Sequence, residues 1–504
     1  MGAPMPAAAH ARRNTFPASV RWAQWVCGAS LALAASTADA SEVRMTSRSV
    51  GEGYMVRLPG ERGQLVGRRR LAQYVGLGVY GILPPREPDQ LRRDPSDGQL
   101  QVVASMRLRN DFGTFTRRAN GQAQDLIESL DGRQIDLLYG YFEGRQIARF
   151  FDFKLGRQFE MSGLDFYAFD GGWLRANTPA HVAVEAFGGQ QVDGSALFGF
   201  PTFELDGTQG TPADRSHSPV VGAAFALSDI KFMDARLAYR RTWSPASINS
   251  DVPDVDGAQG VGTVVDQEFI SASASLRLAK GKLAPFGAAR YNLGVARLDD
   301  LSGGVWWAMT EKHTLRAYYL RTIPSFDLDS IFNVFALEPF EDVRVVYQVR
   351  TGPRWTIYSR FQGRFFHASP TAESGLEPSE RVAFGGGGGG GAELRLRRFG
   401  MRMDGYGLGG EGGVRVGGSV DTRTHVLYDR LAIDVRGYGL YYKDELNDAR
   451  EGHSVSLQAG ANVRLGHGIY FNVMGEELFT PYTRAAFRAF GMLNFDWAFR
   501  VGQR

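Results

Sequence analysis

The sequence predicts an all-β protein, a transmembrane antiparallel β-barrel of 16 or 18 strands with short periplasmic turns and long extracellular loops. Three observations favour this fold. Apolar and polar residues alternate with a period of two, which is typical of strands with two unlike faces. Short turns alternate with long polar loops. No run of about 18 apolar residues marks a helical membrane span, and 43% hydrophobic residues in a chain of 504 exclude a disordered protein.

The first forty residues have the three parts of a secretory signal peptide. A basic region with three arginines precedes the apolar residues 26–35, and Ala38-Asp-Ala40 is a small-x-small cleavage site. The single cysteine, Cys27, lies in this segment, so we expect a mature chain without cysteine. The predicted organisation is a signal peptide at residues 1–40, a periplasmic N-terminal tail at residues 41–68 and an outer-membrane barrel at residues 69–504.

The alternation of apolar and polar residues is most regular in two segments. Between Ile270 and Leu278, apolar residues at even positions alternate with serine and arginine at odd positions, and the pattern returns from Val455 to Leu465. The short breaks that predict tight turns are residues 143–146, 279–282, 310–313 and 351–354. The long loops predicted at the other end are residues 191–217, 244–264, 324–342 and 367–380.

Sixteen to twenty strand-like runs can be counted. Their centres lie near residues 75, 104, 138, 153, 185, 223, 237, 273, 290, 306, 317, 346, 360, 388, 405, 418, 436, 459, 472 and 494. Bacterial single-chain barrels have an even number of strands, which leads to the prediction of 16 or 18. A β-sandwich would need several domains and linkers to hold so many strands, and a β-propeller would show a fixed repeat.

Arginines recur on the polar face of these strands. An unpaired charge in a dry core costs several kcal/mol, whereas a water-filled lumen removes that cost. The residues predicted to line the pore are Arg236, Arg240, Arg316, Arg344, Gln348, Arg350, Arg354, Tyr358, Arg360 and Arg364. The acidic residues predicted on the same face are Asp136, Asp152, Asp234, Glu393, Asp434 and Asp496. Two interpretations stay open: the charges pair and stiffen the wall, or unpaired arginines at a constriction favour anionic solutes.

One passage carries a family resemblance. The stretch Phe151-Asp-Phe-Lys-Leu-Gly-Arg-Gln158, followed by Phe169-Asp-Gly-Gly172, resembles a passage of bacterial outer-membrane porins, including alginate-export-type barrels. The resemblance implies a strand followed by a loop that can fold into the lumen. It would place Arg157, Phe169, Asp170 and Gly171 at the base of this constriction loop. The chain departs from such barrels at its end, because Phe499 is followed by five residues that include no aromatic one.

Motifs for chemistry are missing. The histidines after residue 40 show no metal-ligand spacing, and neither a Gly-x-Ser-x-Gly elbow nor a P-loop occurs. The glycine run 385–391 lacks the Lys-Ser/Thr of a phosphate loop, and we expect the wall to bend there. The sequence therefore predicts no enzyme, no cofactor and no metal.

The function predicted from these observations is passive passage of hydrophilic solutes through an outer-membrane channel. The alternatives are a structural or machinery-associated barrel with a closed lumen, and a polysaccharide-export barrel. Outer-membrane lipid and lipopolysaccharide would surround the barrel, with a homo-oligomer or envelope partner proteins left open. With 57 basic and 54 acidic residues, the chain has no concentrated basic surface for nucleic acid.

Overall fold

The computed structural model describes most of the chain after residue 40. The described residues are 41–57, 65–83, 98–117, 123–127, 132–162, 165–192, 218–227, 230–245, 263–323, 340–366, 383–410, 413–427, 430–443, 451–481 and 483–501. The predicted signal peptide lies outside them. In the part of the chain that the structure describes, no helix is long and apolar enough to cross a membrane.

Strands account for nearly all of the described residues. The strands are β1 (Ser41–Arg57), β2 (Leu65–Tyr80), β3 (Gln99–Arg117), β4 (Ala123–Ile127), β5 (Gly132–Ile147), β6 (Phe151–Ser162), β7 (Asp165–Asn177), β8 (Val182–Gln191), β9 (Pro219–Leu227), β10 (Met233–Pro245), β11 (Thr263–Leu276), β12 (Leu283–Asn292), β13 (Arg297–Ala308), β14 (His313–Thr322), β15 (Phe340–Arg350), β16 (Trp355–Phe366), β17 (Ala383–Arg395), β18 (Phe399–Gly410), β19 (Val414–Val426), β20 (Leu431–Lys443), β21 (Gly452–Gly466), β22 (Ile469–Thr480) and β23 (Thr483–Val501). One 3-10 turn, Ala279–Gly281, joins β11 to β12.

The strands close into one antiparallel barrel. Each barrel strand pairs with its neighbours along the chain, and β1 pairs with β23 to complete the ring. The short strand β4 pairs only with the end of β3, while β3 itself pairs with β5. The ring therefore has 22 strands. The predicted barrel is confirmed, but the predicted number of 16 or 18 strands is wrong.

The predicted 16 or 18 strands left out two to four of the twenty strand-like runs, and two further strands were not counted at all. All twenty strand centres counted from the sequence fall in strands of the structure, and the barrel strands that were not counted are β1 and β7. The outward positions of β1 include Ser47, Ser49, Gly51 and Gly53, so its alternation is weak. Strand β7 was interpreted as the region of a loop.

The predicted N-terminal tail, residues 41–68, is instead part of the barrel wall. Strand β1 pairs with β23 over its whole length, from Ser41 opposite Val501 to Arg57 opposite Ala485. It pairs with β2 on its other side. The tail prediction is wrong because β1 is the strand that closes the ring.

The two ends of the barrel differ. The turn end holds Ser41, Val501 and mostly short connections, and the predicted turns 279–282, 310–313 and 351–354 all lie there. The connection 81–98 is the long exception at this end. All four long loops predicted from the sequence join strands at the opposite loop end. The predicted turn at 143–146 falls in β5, which continues to Ile147.

Contacts across non-neighbouring strands show which face of the wall is inside. Arg236 on β10 lies 2.6 Å from Glu160 on β6, although three strands separate them. Only the concave side of a wall permits such a contact, so this face is the inner one. The opposite face carries large exposed apolar side chains, among them Leu155, Phe225, Leu237, Ile357, Phe361 and Val473. The outside of the barrel is therefore apolar and the inside polar.

The glycine run forms a continuous part of β17. It pairs with β16 and β18 without a register shift. A Cβ on Gly387 would lie 2.0 Å from the carbonyl oxygen of Gly407, and one on Gly389 would lie 2.2 Å from that of Gly405. The glycines thus permit a close approach of β18 that any side chain would prevent.

Candidate functional site

The inner faces of β14, β15 and β16 form a basic strip. Because successive side chains point to opposite faces, the residues pointing inward include five arginines and one acidic residue in these three strands, which the structure describes in full. The arginines of the basic strip are Arg316, Arg344, Arg350, Arg360 and Arg364. The acidic residue is Asp342.

Asp342 organises the part of the basic strip nearest the loop end. Its side chain is fully buried and accepts hydrogen bonds from Arg344 Nε at 2.8 Å and Arg364 Nη2 at 2.6 Å. Gln362 is the third donor residue, through Nε2 at 3.0 Å. One carboxylate therefore holds two guanidinium groups in the wall.

The middle of the basic strip is neutralised from β18. Arg360 donates to the carboxylate of Asp404, which also accepts the hydroxyl of Tyr358. The guanidinium of Arg360 lies over the ring of Tyr406, 5.2 Å from its centroid. Arg402 donates to the hydroxyl of Tyr358 at 3.1 Å. Polar and aromatic groups thus hold Arg360 in one orientation.

Arg316 and Arg350 are the uncompensated charges of the basic strip. Both side chains are exposed. Among the described residues, neither has an ion-pair or side-chain hydrogen-bond partner. Arg316 lies opposite Val346, which in turn lies opposite Arg360, so Arg316 and Arg360 are roughly 10 Å apart across two strand spacings. Within the basic strip, Arg316 and Arg350 are therefore the arginines without a described partner that could meet a solute.

The wall from β17 to β23 carries charges of alternating sign. Register places Glu393, Arg402, Asp421 and Arg436 next to one another on consecutive strands. Arg436 donates to Asp421, and Arg423 lies 3.5 Å from Asp434. These groups line a cavity of about 770 Å³. On this wall the contacts support the first interpretation, in which basic and acidic side chains pair with one another.

A third part of the inner wall, from β6 to β12, is packed. Tyr167, Phe169 and Phe187 have ring centroids 5.4 to 5.7 Å apart, and Phe169 is 1% exposed. Arg240 lies between the rings of Tyr167 and Phe269, at 4.6 and 5.4 Å.

Arg236 is held in the same wall by Glu160 and Glu185, at 2.6 and 2.7 Å. Arg240 is only 5% exposed. Arg236 and Arg240 therefore point inward, as the sequence predicts, but both are built into a packed network.

The other residues predicted to line the pore have mixed positions. Gln348 and Tyr358 point inward with the arginines of the basic strip. Arg354 lies in the turn 351–354 and is exposed there, outside the strands. The predicted acidic residues Asp152, Asp234, Glu393, Asp434 and Asp496 occupy the inner face, and Asp136 lies opposite Arg107 in the β3–β5 pairing.

The predicted constriction loop is absent from its predicted place. Only residues 163–164 separate β6 from β7. Phe169, Asp170 and Gly171 lie inside β7, and Arg157 lies inside β6 opposite Asp170. Phe169 and Gly171 point inward, whereas Arg157 and Asp170 point outward. The prediction is wrong because two long strands continue where the resemblance implied a strand and a loop.

Several inner residues were not found from the sequence. Asp342 was assigned to the loop 324–342, and Asp404 lies in a stretch whose glycines interrupt the alternation. Arg402 and Arg436 belong to strands that were counted, so the period of two could have found them. No group of three or more potential metal ligands occurs among the residues that the structure describes.

Comparisons with known proteins add little to this picture. No protein-family model matches the chain, and no curated protein matches it either. The chain is similar to the solved outer membrane protein OpdK of Pseudomonas aeruginosa, at 9% identity and a TM-score of 0.39, over 91% of this chain and 99% of that one. It is also similar to OccAB4 of Acinetobacter baumannii, at 7% identity and a TM-score of 0.41, over 92% and 99% of the chains.

A BenF-like porin of Pseudomonas fluorescens Pf-5 gives 8% identity and a TM-score of 0.40, over 91% and 99% of the chains. The architecture rests on the strand pairing of the chain itself. A closed antiparallel barrel with an apolar outside and a polar inside is the form in which β-structure crosses bacterial outer membranes. The chain has this porin-type architecture.

Proposed function

We propose that the protein is an outer-membrane channel for passive passage of hydrophilic solutes and that it prefers anions. The observation that carries the proposal is the composition of the basic strip, with five inward arginines and one inward aspartate. Rings or rows of arginine in a pore favour anions because they lower the energy of a negative solute in the lumen.

The distribution of charge around the lumen supports this preference. The wall from β17 to β23 carries both signs in neighbouring rows, so its field largely cancels. The basic strip faces the same lumen with two arginines, Arg316 and Arg350, that no described acid neutralises. An anion in the lumen would therefore be drawn towards β14–β16, whereas a cation would gain no comparable site.

A closed-lumen barrel is the second candidate. Barrels of 16 to 18 strands leave an aqueous channel, whereas known transporters with 22 strands hold a plug in the lumen. The packed wall from β6 to β12, with Phe169 1% exposed, favours this candidate because it fills space inside the ring. In that case the protein would act through its loops and partners instead of through a pore.

The remaining expectations belong to the same proposal. Residues 1–40 would be cleaved as a signal peptide on export. The turn end would then face the periplasm and the loop end the cell exterior, as in other outer-membrane barrels. Lipopolysaccharide and lipid would surround the apolar outside, and the protein would carry out no covalent chemistry.

Single-channel recording of the refolded chain in a planar bilayer tests the proposal. A KCl gradient should give stable conductance steps with a reversal potential on the anion side. The double variant Arg316→Ala/Arg350→Ala should move the reversal potential towards zero. Arg354→Ala is the control, because it removes one arginine charge from the adjoining turn, outside the strands, and should leave selectivity unchanged. A folded barrel without conductance would overturn the channel and leave the closed-lumen candidate.

A further inference from the structure

The outer face of β6, β7 and β8 carries a row of polar side chains beside apolar ones. Arg157 on β6, Asp170 on β7 and Gln190 on β8 are register partners across three neighbouring strands. Leu155 and Phe159 flank Arg157 on its own strand, and both are more than 40% exposed. We call Arg157, Asp170 and Gln190 the outer polar row. On β6 it lies between apolar residues, and on β8 it reaches Gln190, one residue before the loop end of that strand.

In the outer polar row, Arg157 has hydrogen-bond partners for its guanidinium group, whereas the carboxylate of Asp170 is exposed. Arg157 donates from Nε and Nη2 to the two carboxylate oxygens of Asp170, at 2.7 and 2.6 Å, and from Nη1 to the carbonyl of Leu137 at 3.1 Å. Its side chain is 11% exposed, whereas that of Asp170 is 45% exposed. The guanidinium is thus enclosed, and the carboxylate faces away from the barrel.

Gln190 supplies the complementary group. Its Oε1 accepts the backbone N–H of Ser218 at 3.0 Å, which orients the amide. Its Nε2 has no acceptor among the residues that the structure describes, and the side chain is exposed. The outer polar row therefore presents an open acceptor at Asp170 and an open donor at Gln190. Polar groups on the outer face of a membrane barrel are costly when they have no partner.

Small residues surround this pair of groups. Gly172 on β7 lies opposite Gly188 on β8, in the outward row next to Asp170 and Gln190. Ala168 and Ala186 occupy the outward positions beyond them. Small residues around a polar group let two membrane-embedded surfaces approach closely, and the polar groups then bond across the interface.

We propose that a second copy of this chain docks on the outer faces of β7 and β8, so that each Asp170 accepts a hydrogen bond from Gln190 of the other copy. A two-fold axis along the membrane normal, running between β7 and β8, brings these residues together twice. This is the self-complementary arrangement of an isologous dimer, in which residue i meets j and j meets i. The inference rests on insertion of the barrel in the membrane and is independent of what the lumen conducts.

Cysteine cross-linking in isolated outer membranes tests the dimer. In a Cys27→Ser background, Gly188→Cys places a thiol beside the proposed axis, where a short bismaleimide should join two copies. Gly437→Cys is the matched control, because Gly437 points outward on β20, on a different part of the wall, and nothing lies within 4 Å of a Cβ there. We expect a cross-linked dimer from Gly188→Cys and a monomer from Gly437→Cys.

A further variant separates the proposed contact from simple proximity. Gln190→Leu keeps the size of the side chain and removes the donor, so it should lower the yield of Gly188→Cys dimer by about tenfold, since two hydrogen bonds are lost at the interface. Heat-modifiable mobility on gels shows whether this variant is folded, and its mass in detergent by ultracentrifugation gives a second measure of the dimer.

Four outcomes would overturn the inference. The Gly188→Cys variant could remain a monomer with lipopolysaccharide bound, or it could be cross-linked to a protein of another mass. Its dimer yield could also match that of Gly437→Cys, or it could be unchanged by Gln190→Leu. A barrel that conducts anions but gives any of these results would overturn the dimer alone. A barrel that forms the dimer without conductance would overturn the channel alone.

Discussion

Arg236 on β10 and Glu160 on β6 form an ion pair of 2.6 Å across the inside of the barrel wall. The same guanidinium contacts Glu185 on β8 at 2.7 Å. One arginine therefore joins strands that lie far apart in the ring, and the side chain of Glu185 is only 4% exposed. The contact links the inner surface of β6 to β10 and makes this wall a packed unit.

Replacing Arg236 with methionine should destabilise the barrel by about 3 kcal/mol, because it removes the guanidinium that bridges Glu160 and Glu185 in the packed wall. Reversible urea unfolding in lipid vesicles measures the change. Arg316→Met is the control, since Arg316 is exposed and has no described partner, and it should change the free energy of unfolding by less than about 0.5 kcal/mol. Equal effects of the two variants would show that the wall is not held by Arg236.

Asp342→Asn should strengthen the preference for anions. It removes the negative charge that Arg344 and Arg364 share, while the amide oxygen can still accept a hydrogen bond. The reversal potential in a KCl gradient should therefore move further to the anion side. Glu311→Gln, in the turn 309–312, removes an equal charge outside the lumen and should have no effect. A shift towards cations would contradict the assignment of Asp342 to the lumen wall.

The anion preference should weaken as salt rises. The Debye length is about 30 Å at 0.01 M and about 3 Å at 1 M, so the field of exposed arginines reaches across the lumen only in dilute salt. Reversal potentials measured with one concentration ratio at increasing KCl give the dependence. The Arg316→Ala/Arg350→Ala variant should show a flatter curve than the unaltered protein. Selectivity that does not change with salt would point to a steric filter instead of these charges.

Gly389→Val should prevent stable folding or lower the melting temperature strongly. A Cβ at this position would lie 2.2 Å from the backbone carbonyl oxygen of Gly405 on the neighbouring strand, and backbone cannot move aside cheaply. Gly437→Val is the matched change at an open outward position and should leave the barrel folded. Heat-modifiable mobility on gels compares the two. A folded Gly389→Val barrel would show that β17 and β18 can separate.

Deleting residues 41–57 should abolish the folded barrel. Strand β1 pairs with both β2 and β23, so its loss leaves two long edges with unpaired backbone groups, which a membrane does not tolerate. The loss of the heat-modifiable folded band measures the effect. If the shortened chain gave the same folded band, residues 41–57 would be a tail after all, as the sequence alone suggested.

The local sequence pattern was sufficient to predict most of the strands of the barrel. Twenty strand centres, the four long loops at one end and the inward direction of Arg316, Arg344, Arg350, Arg360 and Arg364 follow from a period of two and from turn residues. Strand β1 is missing from the prediction because serine and glycine occupy its outward positions. Strand β7 is missing because the family resemblance assigns Phe169-Asp-Gly-Gly172 to the base of a loop.

By itself the sequence determined the architecture and the direction of side chains, because alternation along a strand is a local property of the backbone. Only the tertiary structure decided the number of strands, the closure of β1 on β23, and which arginines are paired. Closure joins residues more than 400 positions apart. Pairing depends on the register between strands, so Arg360 meets Asp404 and Arg236 meets Glu160 while Arg316 keeps an unneutralised charge. The alternation of residues within one strand does not predict which residues of other strands they contact.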